Sequence, residues 1–171
     1  MTVPRGPESP TGAPGVAASQ RVRFACVTPT VVLRVVGAAA ALVGGYAHLS
    51  LYNDGYKDIP VGNIGAQFLA NALGAAAIAL GLVLPLFIRQ LPDLVWKLAA
   101  LGGIAWALIS LVASYFAKRT DDGWFNFVDQ PGLKPSPEAA MSLFSEVIVL
   151  VAMIGLLALT FRPRRDPTIN S

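Results

Sequence analysis

Apolar residues along this chain gather in four blocks of roughly 20, divided by polar stretches, and that length crosses about 30 Å of hydrocarbon at 1.5 Å per residue. The first block, PTVVLRVVGAAAALVGGYAHLSLY, predicts a helix over 29–52 with Thr28 as N-cap and Pro29 in the first turn, where a helix tolerates proline. The second predicts a helix over 62–88; Pro85 falls in its last turn and forfeits few hydrogen bonds. Asp93 caps the third, expected over 94–117. The fourth runs over 137–161, with Ser136 as cap, Pro137 in first position and Glu138 at the positive helix end. The expected fold class is all-α, an integral membrane four-helix bundle filling residues 28–162.

The flanking segments differ in composition. Residues 1–27 are rich in Pro, Gly and Ser and hold little to bury, so they read as a disordered cytoplasmic arm. The apolar run begins only near residue 27 and is of full spanning length, unlike a cleavable signal. Residues 163–171 read as a cytoplasmic tail.

Composition excludes a soluble domain. Hydrophobic residues make up 54% of the chain and charged ones 13%, where a soluble domain carries about 25% charged residues; the mean hydropathy is +0.58. The basic residues are unevenly placed. Arg5, Arg21, Arg23, Arg34, Arg89, Lys97, Arg162, Arg164 and Arg165 fall on one side of the four spans, and Lys57, Lys118, Arg119 and Lys134 on the other. The positive-inside rule then predicts a multi-pass protein of the cell membrane with both termini cytoplasmic. A basic inner face implies membrane lipids as partners through their anionic headgroups, and no nucleic acid. A membrane protein complex or a homo-oligomer is the other kind of partner left open.

Catalytic chemistry has no sequence-level support. A single Cys26 excludes an intrachain disulfide and a CxxC pair, and one Cys with one His does not make a zinc site. No P-loop, GxSxG, HExxH or dinucleotide fingerprint occurs. Neither a metal nor a cofactor is expected on these grounds.

Polar residues inside the spans are the remaining signal, since they are costly in hydrocarbon. Asn63, Gln67 and Asn71 recur every fourth residue and make one stripe on helix two, continued by Gly74. Helix four has Ser142, Ser145 and Glu146 on one face, helix three has Ser110, Ser114 and Tyr115, and helix one has Tyr46 and His48. All lie toward the same end of the bundle, so His48, Gln67, Asn71, Ser114, Ser142 and Glu146 are candidates for lining one polar cavity. Glu146 and Asn71 have similar depths and are expected within reach of each other, with His48 nearer the mouth. The competing reading is packing: amides and hydroxyls join membrane helices by hydrogen bonds of about 1 kcal/mol, and small residues let backbones approach. A carboxyl at the depth of Glu146 has to be protonated, paired or hydrated, which packing alone does not require. Arg34 reads as a snorkelling or structural arginine. Trp124, Phe125 and Phe127 in the third loop suit an interfacial aromatic belt or, alternatively, a lid.

The segments YAHLSLYNDGYKDIPVGNIGAQFLANALGAAAIAL and LKPSPEAAMSLFSEVIVLVAMIGLLAL resemble small four-helix membrane proteins of actinobacteria without an established function. More loosely, LRVVGAAAALVGGYAHL followed by three spans and a Glu in the fourth is similar to the DoxX-like families; the matching positions are Arg34, a Gly-rich first helix and Glu146. That second resemblance implies quinone or thiol redox chemistry, although the cysteines for thiol chemistry are missing. Two readings follow: a non-enzymatic bundle that binds a small molecule or lipid or serves as an accessory subunit, and a quinone-interacting redox or proton-coupled protein.

Overall fold

Pro29 occupies the first turn of α1, Pro29–Asn53, where its missing N–H leaves no partner unsatisfied. The computed structural model describes residues 28–119 and 137–161, which contain helices and their connections and no strand. The other helices are α2, Ile64–Phe87, α3, Asp93–Arg119, and α4, Glu138–Thr160. All four are long and apolar enough to cross a membrane. The N-terminal arm with Cys26, the loop carrying Trp124, Phe125 and Phe127, the cap residue Ser136 and the C-terminal tail lie outside the described residues.

The caps differ from the sequence expectation in detail. Thr28 holds the cap position of α1, but its hydroxyl pairs with Thr30 Oγ1 at 3.0 Å and does not reach the helix backbone. Pro137, not Ser136, stands at the cap position of α4, with Glu138 in the first turn. Two short 3-10 turns, Tyr56–Asp58 and Val61–Asn63, precede α2. Gly62 (φ 61°) and Asn63 (φ 51°) are both left-handed, a conformation Gly and Asn tolerate best, so the α-helix starts at Ile64 and not at 62.

The helices form an antiparallel ring in which α1 packs on α2 and α4, and α3 closes the ring against the same two neighbours. Small residues bring the backbones together. A Cβ on Gly45 would stand 2.7 Å from Ala75 Cβ, and one on Gly81 the same distance from Ala99 Cβ, so α1–α2 and α2–α3 are contacts that larger side chains would part. Bulky apolar side chains such as Leu73, Phe87, Phe144 and Val151 point away from the core and remain exposed. A continuous apolar exterior of this kind suits hydrocarbon better than water.

The end carrying the α1–α2 connection is taken here as the upper end. Below mid-height Leu82, Val149, Met153 and Leu156 are fully enclosed among Ala38, Ala41, Ile78 and Ala100. A second cluster of Leu51, Tyr56, Ile64 and Ala117 lies at the upper end, where Tyr56 fastens the connection to the helices beneath it. At the lower end Arg34 turns into the protein. Its Nε donates to the Leu82 carbonyl at 2.9 Å, and its guanidinium carbon lies 5.4 Å from the centre of the Trp96 ring. Lys97 approaches the same ring at 5.6 Å, and the Trp96 indole donates to Asp93 Oδ1 at 3.2 Å. Arg34 is therefore a structural arginine.

Candidate functional site

Between the two apolar clusters, α1 and α4 each contribute polar side chains to the interior. Ser142 and Glu146 are four residues apart and so share a face of α4, where Ser142 Oγ donates to Glu146 Oε1 at 2.7 Å. His48, near the C-terminal end of α1, meets both: its Nε2 is 3.3 Å from Glu146 Oε1 and 3.2 Å from Ser142 Oγ. Glu146 is wholly enclosed and His48 is 6% exposed. The Ser145 hydroxyl donates to the Ser142 carbonyl at 2.7 Å, within the helix.

The proton on the His48 ring follows from the state of Glu146. Ser142 has a single hydroxyl proton, and the 2.7 Å contact commits it to Glu146. With Glu146 as a carboxylate, the oxygens facing His48 Nε2 are both acceptors, so Nε2 is the donor to them. In a neutral ring Nδ1 then keeps the lone pair.

A cavity of about 120 Å³ lies above this cluster, bordered by His48 and Ser142. Gln67 and Asn71 line it from α2, Ser110 and Ser114 from α3, with Tyr56, Phe68 and Leu51 as apolar wall and Lys118 toward the opening. Glu146 sits beneath the lining and not in it. Of the residues expected at one cavity, His48, Gln67, Asn71, Ser114 and Ser142 border the same space, and Glu146 joins them through His48 and Ser142.

Other expectations turn out differently. The hydrogen-bonding partners of Glu146 are His48 and Ser142, not Asn71. Asn71 is engaged through its backbone, whose carbonyl accepts from Trp106 Nε1 at 3.1 Å. Gln67 Nε2 donates to the Gly62 carbonyl at 2.7 Å, which ties α2 to the left-handed turn before it. Tyr46 and Tyr115 point outward, 64% and 62% exposed, and take no part in the site. Asn63 is exposed at the start of α2.

The aromatic surroundings were not foreseen from sequence. Phe68 lies 5.4 Å from the His48 ring and meets Tyr56 edge-to-face at 5.0 Å, while Trp106 meets His48 edge-on at 6.2 Å. Phe68 adjoins Gln67 in sequence and lies three residues before Asn71, and that spacing was the available signal. Among the described residues no group of three His, Cys, Asp or Glu side chains is placed to hold a metal. Comparisons with protein-family models, curated proteins and solved structures found no match.

Proposed function

We propose that this chain is a multi-pass membrane protein that binds a small molecule through the cavity above His48 and Glu146. The observation that carries this reading is the enclosed His48–Ser142–Glu146 cluster beneath a cavity of about 120 Å³, in a bundle whose main core is apolar. Ionisable side chains inside an apolar span cost several kcal/mol unless they have work to do, and four helices pack well without them. The distribution of Lys and Arg supports a plasma-membrane orientation with both termini cytoplasmic and the cavity opening outward. A role as accessory subunit in a membrane assembly is compatible with the same site.

The test is native mass spectrometry of protein purified in mild detergent, wild type beside Glu146→Gln and His48→Phe. A bound compound retained by the wild type and lost from both variants is the expected result. A compound retained equally by all three would place binding elsewhere. The DoxX-like reading, with a quinone as ligand, draws support from the imidazole–carboxylate pair, which can take up and return a proton. Extraction of a quinone from the purified protein is its test.

A further inference from the structure

Three polar atoms at the upper end of the bundle are buried without a partner among the described residues: His48 Nδ1, Ser110 Oγ and Glu146 Oε2. Native interiors pair nearly all such atoms, and each orphan costs stability, so three around one site ask for something that completes them. Two of the three belong to residues that border the cavity from opposite helices, His48 on α1 and Ser110 on α3.

The chemistry of the missing group follows from these two atoms. In a neutral His48 whose Nε2–H points to Ser142 and the Glu146 carboxylate, Nδ1 holds a lone pair. It wants a donor. Ser110 has a hydroxyl that needs an acceptor. A ligand hydroxyl serves both, donating to one and accepting from the other. The carbonyl of an oxidised quinone would set lone pair against lone pair at Nδ1, so it completes only Ser110.

Size and wall set the rest of the molecule. A cavity of about 150 Å³ in a protein interior holds benzene, so a space of about 120 Å³ takes one ring and little more. Tyr56 and Phe68 offer it aromatic surface. The charged or titratable groups around His48 are Glu146 from α4, Lys118 from α3 and Tyr56 from the α1–α2 connection, while α2 brings only the amides of Gln67 and Asn71.

We propose that the cavity takes a single-ring molecule bearing an acidic hydroxyl, a phenol, and that His48 backed by Glu146 receives its proton. This rests on the small-molecule reading above. In the step the ligand O–H bond breaks, an Nδ1–H bond forms, and the electron pair stays on the ligand oxygen. The phenolate is left with two donors, Nδ1–H and the Ser110 hydroxyl. The imidazolium keeps its Nε2–H against the Glu146 carboxylate, and no net charge enters or leaves.

The experiment uses the full-length protein in mild detergent with 4-nitrophenol, whose phenol and phenolate absorb at different wavelengths, at a pH where the free probe is the phenol. Nitrobenzene supplies the same ring without the hydroxyl. Expected are saturable binding above that of empty micelles, growth of the phenolate band on binding, and affinity for nitrobenzene lower by about tenfold. Ser110→Ala should weaken 4-nitrophenol by about five- to tenfold while leaving thermal stability unchanged or higher, since it deletes an unpaired hydroxyl. Glu146→Gln should diminish the phenolate band. Equal affinity for the two rings overturns hydroxyl recognition and leaves the small-molecule reading intact. Saturable binding without a phenolate band overturns the proton transfer. Absence of binding by either ring overturns the whole proposal, and the small-molecule reading then stands or falls on its own mass-spectrometric test.

Discussion

His48 Nε2 stands 3.3 Å from Glu146 Oε1, which joins the upper part of α1 to the upper part of α4 through the enclosed interior. Ser142 makes the arrangement three-membered by spending its proton on the same carboxylate oxygen, so the loss of any one member strands polar groups on the others.

Replacing Glu146 separates hydrogen bonding from charge. Glu146→Gln retains an oxygen that accepts from Ser142 and His48, so stability should stay within about 1 kcal/mol of wild type. Glu146→Leu leaves the Ser142 hydroxyl and the His48 N–H without their acceptor and should cost about 1–3 kcal/mol. Thermal unfolding in detergent distinguishes them, and equal losses would mean that the ionised carboxylate, not the hydrogen bonds, holds the cluster together.

Two glycines on α1 should respond differently to the same added methyl group. A Cβ at Gly45 lands 2.7 Å from Ala75 Cβ, which moves only if the helices part, whereas one at Gly37 meets the terminal methyl of Met153, which swings aside. Gly45→Ala should therefore destabilise by about 1–3 kcal/mol and Gly37→Ala by less than about 1 kcal/mol. Similar melting temperatures for the two variants would contradict the close α1–α2 approach.

At the lower end, Arg34→Lys should destabilise by about 1–2 kcal/mol, because lysine offers neither the Nε donor to the Leu82 carbonyl nor a flat face for Trp96. Lys97→Met should cost no more than about 1 kcal/mol, since Lys97 contributes only its approach to the same ring. Denaturation midpoints in detergent give the comparison. A larger effect at Lys97 would reverse the ranking and the explanation with it.

Orientation is open to a labelling experiment in a Cys26→Ser background. An impermeant thiol reagent applied to intact cells should modify a cysteine at Asp58, exposed in the α1–α2 connection, and spare one at Gln90, exposed between α2 and α3. Labelling at Gln90 alone would invert the proposed topology.

The helices were legible because length and unbroken apolarity suffice to announce a span, and prolines and acids marked several of the ends. Partners across the interior were less so. Depth along a helix can be counted from sequence, but the rotation of each helix about its axis is set by packing. Equal depth thus made Asn71 the expected neighbour of Glu146, whereas the packing of α1 against α4 brings His48 to it. Tyr46 carries the corresponding lesson: residues two apart on a helix lie on nearly opposite sides, so a His48 that faces inward turns Tyr46 outward. The start of α2 was hidden for a different reason, since two consecutive left-handed residues follow from the docking of the connection and leave no periodic trace.

The apolar interior below Glu146 also bears on energy conservation. From Glu146 to Leu156 is ten residues, about 15 Å of helix, along which the fully enclosed side chains Val149, Met153 and Leu156 are apolar, and among the described residues Arg34 enters only at the lower end. In a membrane carrying 100 mV, the field does about 2.3 kcal/mol of work on one charge crossing the whole bilayer. Idealised desolvation of a bare ion in such a medium costs of the order of 20 kcal/mol, far beyond that drive. On the proposed reading, this apolar stretch would be a barrier to any proton that reached the imidazole from the loop end.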